Sequence, residues 1–179
     1  MNLKTSNLII VICFILGVSE LLYAQNIKGE LKKWHKVTLE FEGPLTAEDA
    51  ENNPFLNYKL DVTFTHKKSG KTYVIPGYYA ADGRAANSSA SSGNIWKVHF
   101  APDEIGHWEY AGRCVKGKWA SIRVSNKLKS ANYMDQMTGS INIEQTDKVG
   151  RDFRGKGRLQ YVGERYLKFA ENREYFLKC

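Results

Sequence analysis

Apolar side chains recur at every second position over most of this chain, and that alternation confines it to sheet. Val37, Leu39 and Phe41 alternate with Lys36, Thr38 and Glu40; Leu60, Val62 and Phe64 alternate with Asp61, Thr63 and Thr65; Trp96, Val98 and Phe100 alternate with Lys97 and His99. Successive side chains of a strand point to opposite faces, so each run predicts a strand with one face buried. Further strands are expected at Thr72 to Tyr79, His107 to Val115, Ser121 to Val124, Gly139 to Gln145, Leu159 to Val162, Tyr166 to Phe169 and Tyr175 to Lys178. Turn residues separate them at Ser69 and Gly70, Asp82 and Gly83, Pro102 to Gly106, Lys116 and Gly117, and Val162 and Gly163. Short strands at this spacing, with little helical periodicity, predict an all-β fold of two packed antiparallel sheets. Three stretches lack the alternation. Thr46 to Asn57 reads as a polar loop or a short helix capped by Thr46, Ala85 to Asn94 as a Ser-rich mobile loop, and Asn126 to Thr138 as either loop or short helix.

The first two dozen residues follow a different rule. Lys4 precedes an apolar run from Leu8 to Val18, and a small-residue site ends at Ala24, which is the three-part pattern of a secretory signal peptide. Ser19 and Glu20 interrupt the run well short of the ~20 apolar residues that span a bilayer. Cleavage after Ala24 and export to the periplasm or beyond are therefore expected, with no membrane attachment afterwards. Cys13 lies inside the run and position 25 is Gln, so no lipid-anchoring cysteine follows the cleavage point. What remains is long enough for one domain with a sizeable core. The expected organisation is a signal peptide at 1–24, a sandwich at 25–147 and a junction with a β-hairpin at 148–179.

The net charge of +7 invites a nucleic-acid reading, but much of the excess is local: Lys148 to Arg173 holds eight Lys or Arg against three Asp or Glu. Basic residues of nucleic-acid modules sit in recognisable motifs, and none is present. A solvated basic face is the plain explanation, and an acidic polysaccharide the more specific one. Only Cys114 and Cys179 survive processing, so one disulfide is the most that an oxidising compartment allows, and neither has metal-site spacing.

Catalytic signals are thin. Glycoside hydrolysis generally uses two carboxylates about 5–10 Å apart, yet Glu40, Asp61, Glu104 and Glu109 alternate out of strand cores or sit in turns. His35, His66, His99 and His107 show no ligand-type spacing, although His99 and His107 face each other if the Pro102 to Gly106 turn is a hairpin. Glu48, Asp49 and Glu51 lack the ordered spacing of a calcium loop. No catalytic residue, metal or cofactor is expected. Aromatic rings are the remaining binding chemistry, because they offer an apolar face to a sugar ring. The candidates are Trp34, Tyr78, Tyr79, Trp96, Trp108, Tyr110 and Trp119. Trp96 and Trp108 share strand faces with core residues, whereas Tyr78 and Tyr79 point to opposite faces of one strand, leaving one exposed beside the Ser-rich loop. Carbohydrate binding, if present, is expected at Tyr78 and Tyr79.

Several segments together resemble one family: Trp34 to Pro44 (WHKVTLEFEGP), Asn53 to Phe55, Val62 to Thr65, Val74 to Gly83 (VIPGYYAADG), Gly93 to Asp103 (GNIWKVHFAPD) and Gly106 to Tyr110 (GHWEY). They are similar to DUF5060, an N-terminal domain of secreted bacterial glycoside hydrolases. The resemblance implies an immunoglobulin-like sandwich that stands ahead of a catalytic barrel in a longer chain and carries no catalytic residue of its own. Asp152 to Leu159, Arg165 to Ala170 and Tyr175 to Cys179 look like the junction of such enzymes, where a hairpin leads into the barrel. On this reading the chain is a non-catalytic accessory domain whose partner is the barrel and whose C-terminal segment from about 148 packs poorly alone. An independent carbohydrate-binding module is the alternative.

Overall fold

The computed structural model describes residues 25–123, 128–163 and 165–176. The expected leader at 1–24, Val124, and the end from Leu177 to Cys179 lie outside the described residues. No described helix is long and apolar enough to cross a membrane.

Two antiparallel sheets form the body. The first has the order β1 (Gln25–Lys28), β2 (Val37–Ala47), β6 (Ser92–Phe100) and β5 (Tyr78–Tyr79). The second is built on β3 (Tyr58–His66), flanked by β4 (Thr72–Pro76) and β7 (Gly106–Lys116); β7 in turn pairs with β8 (Lys129–Ser130) at one end and β9 (Thr138–Ile143) at the other. The chain crosses between sheets after β2, β4 and β6, as expected of an immunoglobulin-like sandwich. Short helices α1 (Pro54–Asn57) and α2 (Ala85–Ser88) sit in the two polar connections.

The alternation has the predicted effect. Val37, Leu39, Phe41, Val98 and Phe100 from the first sheet, and Leu60, Val62, Phe64, Trp108 and Ile143 from the second, are at most 3% exposed. Rings interlock between the layers: Phe64 stacks on Phe100 at 4.1 Å, and Trp108 meets Phe100 edge-on at 5.1 Å. Offset and edge-on arrangements match the negative ring face to a positive edge.

Several expectations need correction. Thr46 is not a helix cap, because β2 runs through to Ala47; Asn53 caps α1, its side chain accepting from the N–H groups of Phe55 and Leu56. The Ser-rich stretch is not wholly a loop, since it holds α2 and the start of β6. Ser121 and Ile122 form a turn, so no strand forms at 121–123. Residues 128–138 contain the two-residue β8 and irregular backbone rather than a helix. β1 escaped the sequence reading because its four residues, QNIK, carry one apolar side chain. Gly83 adopts φ +81°, the turn conformation expected of it, whereas Gly77 is small for a different reason: a Cβ there would lie 2.5 Å from the Leu60 Cδ2 atom.

Beyond β9 a three-stranded antiparallel sheet forms from β10 (Leu159–Tyr161), β11 (Leu167–Phe169) and β12 (Tyr175–Phe176). It is not detached. Trp34, held at φ +67°, donates its indole N–H to Glu171 at 2.9 Å, and Lys33 pairs with the same carboxylate at 2.7 Å.

Truncating Phe100 to Ala removes the ring that joins three others, and a loss of about 3–5 kcal/mol is expected in urea or thermal unfolding. Cys114 is fully buried, and burial pushes its thiol up to about 12. A thiol reagent should therefore modify it only after denaturation, a result read directly by mass spectrometry.

Candidate functional site

The carboxylates considered for catalysis are each engaged by cations and do not converge. Glu40 lies on the outer face of the first sheet between Lys28 at 2.6 Å and Lys97 at 2.9 Å. Burial raises its pKa, but hydrogen bonds from both ammonium groups outweigh that and hold it below the usual carboxylate value. Glu104 is lowered chiefly by Lys71 and Glu109 chiefly by Lys67. Asp61 sits 3.3 Å from Lys59 on the second sheet. A general acid near neutral pH needs a raised value, so the lowered values of Glu40, Glu104 and Glu109 suit ion pairing instead.

The histidines are likewise separated. His35 bonds Thr146 at 2.9 Å, His66 bonds the Ile105 carbonyl at 3.0 Å, and His107 lies 4.0 Å from Glu109. His99 does not face His107, because the turn between them carries the chain from one sheet to the other. Instead His99 bridges Thr38 at 2.9 Å and the Tyr78 hydroxyl at 2.8 Å.

One group of potential metal ligands does form: Glu30, His35 and Asp147 bring one atom each within 4.8 Å of one another. Sequence spacing gave no sign of it, since the parallel bridge between Lys32 and Glu144 is what brings the segments together. Cations already neutralise it. Lys32 pairs with both carboxylates, Lys148 does the same, and Arg154 lies 3.6 Å from Glu30. The cluster therefore works as an ionic clamp between the segment ahead of β2 and the residues that follow β9.

The aromatic candidates divide by exposure. Trp96, Trp108 and Tyr110 are core residues, as expected from their strand faces. Tyr79 is 4% exposed and donates its hydroxyl to the Thr46 carbonyl at 2.7 Å, so it has no free face for a ligand. Tyr78 is 43% exposed and borders a depression of about 310 Å³ that also takes in Arg84, Asn87 and Lys97. On its other side a narrow slot of about 180 Å³ runs past Phe55 and Tyr58 to the Trp96 ring. Lys97 has little freedom there, being tied to Glu40 and the Gly83 carbonyl. At the same end of the sandwich a larger hollow of about 540 Å³ lies under Trp119, which is 40% exposed. The sequence named Trp119 among its rings but gave no reason to prefer it, because its prominence comes from backbone conformation.

Tyr78→Ala should leave the melting temperature nearly unchanged, whereas Tyr79→Ala should cost about 3–5 kcal/mol through the cavity it leaves. Only the first substitution is therefore a clean probe of binding. Glu40 supplies a pH test. Its lowered value in the folded state means that its stabilisation is complete above the unfolded value of 4.5 and is lost as pH falls through the folded value. Glu40→Gln should remove that component, so wild type and variant should converge in thermal stability as the pH is taken from above 4.5 down through the folded value.

Residues 30–114 match the family described as "Domain of unknown function (DUF5060)". No curated protein matches the chain. Among solved structures the chain is similar to the crystal structure of a "putative glycoside hydrolase" from Bacteroides vulgatus ATCC 8482, with a TM-score of 0.52 and 19% identity. That likeness covers 83% of this chain and 22% of the other, so the chain spans about a fifth of its length. At this identity the likeness is one of fold.

Proposed function

Because residues 30–114 match the DUF5060 family, we propose that the chain is a non-catalytic accessory domain of an exported polysaccharide-degrading enzyme, packing against and supporting a catalytic barrel of the same polypeptide. The observation that carries this reading is the apolar face of the small C-terminal sheet. Its register puts Leu159 beside Phe169, and Leu167 between Tyr161 and Phe176, all on one side. Among the described residues Phe153 packs on that side, with ring centroids 5.3 Å from Phe169 and 6.0 Å from Phe176, and the Lys156 ammonium lies over the Phe169 ring. Tyr161 is 75% exposed, and Leu159 and Leu167 remain more than a third exposed.

Strands of three, three and two residues bury little apolar area by themselves, and an uncovered apolar face favours a partner layer. A barrel that begins beyond the junction supplies one. The fold likeness to a much longer protein is consistent with this. The coding sequence beyond codon 179 tests it first: an in-frame continuation the size of a barrel, about 250 residues, is expected, and an immediate stop codon would contradict the proposal. The purified chain should turn over no glycan and should bind an apolar dye such as ANS, with the signal falling in the Tyr161→Ser and Leu167→Ser double variant. Glycan turnover by the chain alone would also overturn the accessory reading.

A second reading, an independent carbohydrate-binding module, is supported by the aromatic surface at the opposite end of the chain's fold. Tyr78 presents a half-exposed ring in a depression that Arg84 also lines. Binding that disappears in Tyr78→Ala while the fold persists would favour it.

A further inference from the structure

The hollow under Trp119 has features that the sandwich does not need. Trp119 holds φ +63°, a left-handed conformation that is a real outlier for a bulky side chain and costs about 1–2 kcal/mol. The surrounding structure fixes it there. The Asn57 side chain accepts from the Trp119 N–H at 3.1 Å, the Asn57 carbonyl accepts from Gly117 at 2.9 Å, and the Trp119 carbonyl accepts from Ile122 and Arg123. Ser121 is stitched in turn to the Leu56 carbonyl at 3.1 Å. This bonding leaves the indole 40% exposed at the hollow.

The charges around the hollow point the same way. Lys116 and Lys118 line it, with Glu51 as the one acid among its lining residues. Lys116 stands directly opposite Lys129 in the β7–β8 register, and like charges in that position destabilise a strand pair. None of these three lysines forms an ion pair among the described residues, in contrast to Lys28, Lys32, Lys71 and Lys97, each of which does. A cavity of about 540 Å³ is large enough for a sugar unit and part of its neighbour.

From this geometry we infer that the hollow binds an anionic pyranose oligosaccharide, with one sugar ring stacked on Trp119 and its carboxylate or sulfate groups on Lys116 and Lys118. The inference rests on the carbohydrate-binding reading and moves the site from Tyr78 to Trp119. Glu51 and Asn52 also line the hollow; their side-chain oxygens supply acceptors for ring hydroxyls, while the Asn52 amide already donates to the Tyr58 hydroxyl at 2.8 Å.

Isothermal titration of the purified protein tests it, using oligogalacturonate, a sulfated galactan oligosaccharide, a neutral galacto-oligosaccharide of equal length and a single-stranded oligonucleotide. At least one charged saccharide should bind, more weakly as salt is added, and the neutral one about tenfold less well or not at all. The two charged probes separate carboxylate from sulfate. Trp119→Ala should weaken binding about tenfold, the scale of one lost stacking contact, and Trp119→Tyr should retain most of it. Trp119→Gly removes the ring while relieving the left-handed backbone, so it should weaken binding by about the same factor as Trp119→Ala, with the fold intact by circular dichroism. Lys118→Gln should weaken only the charged saccharides. Undiminished binding in the Trp119 variants with loss in Tyr78→Ala would overturn this site and leave the carbohydrate-binding reading standing. Absence of binding to every saccharide would sink both, and equal or tighter binding of the oligonucleotide would show that the hollow recognises a polyanion of another class.

Discussion

The contact between Phe64 and Phe100 holds the molecule together, because it is where two sheets that share no strand meet. The rings lie nearly parallel at 4.1 Å, and Tyr73, Tyr110 and Trp108 pack around them. Burial of apolar area contributes about 25 cal/mol per Å², and an aromatic pair adds roughly 0.5–1.5 kcal/mol through its geometry. Remove that centre and each sheet is left with a bare apolar face. The crossings after β2, β4 and β6 follow from the same constraint, since every strand must bring its apolar side to this layer.

With the interior filled, function is pushed to the edges. The outer face of the first sheet is closed by its own polar ladder: Thr38, His99 and Tyr78 are linked by hydrogen bonds, and Glu40 is clamped between two lysines. One end of the sandwich carries the exposed rings Phe55, Tyr78 and Trp119, and a separate region carries the junction sheet, anchored through Trp34 and Glu171. These two surfaces fit different tasks. The first presents ring faces beside lysines that form no ion pair among the described residues, and the second presents the apolar area on which the proposed accessory role rests.

The parts of the fold that period-two alternation controls were legible in the sequence. β3 shows why: from Tyr58 to His66 every second side chain is buried, so the pattern of apolar residues and the pattern of burial coincide. β1 was missed because its pairing with β2 depends on backbone hydrogen bonds that any residue can make. Thr46 was misread because helix-capping chemistry at Thr46 and Asn53 looks alike until the extent of β2 is known. The exposure of one member of the Tyr78 and Tyr79 pair followed from strand geometry. The prominence of Trp119 did not, since a left-handed backbone set by a side chain 62 positions away leaves no local mark in the sequence.

The proposed role requires a self-sufficient sandwich and a C-terminal sheet that depends on a further layer. Native-state hydrogen exchange on the isolated chain measures this directly, because it reports the opening free energy of each segment. The amides of β2, β3, β6 and β7 should exchange together and slowest, by global unfolding, and those of β10, β11 and β12 should exchange far faster through local opening. Equal protection of 167–176 and 96–100 would contradict the claim and make the junction an integral part of a complete domain.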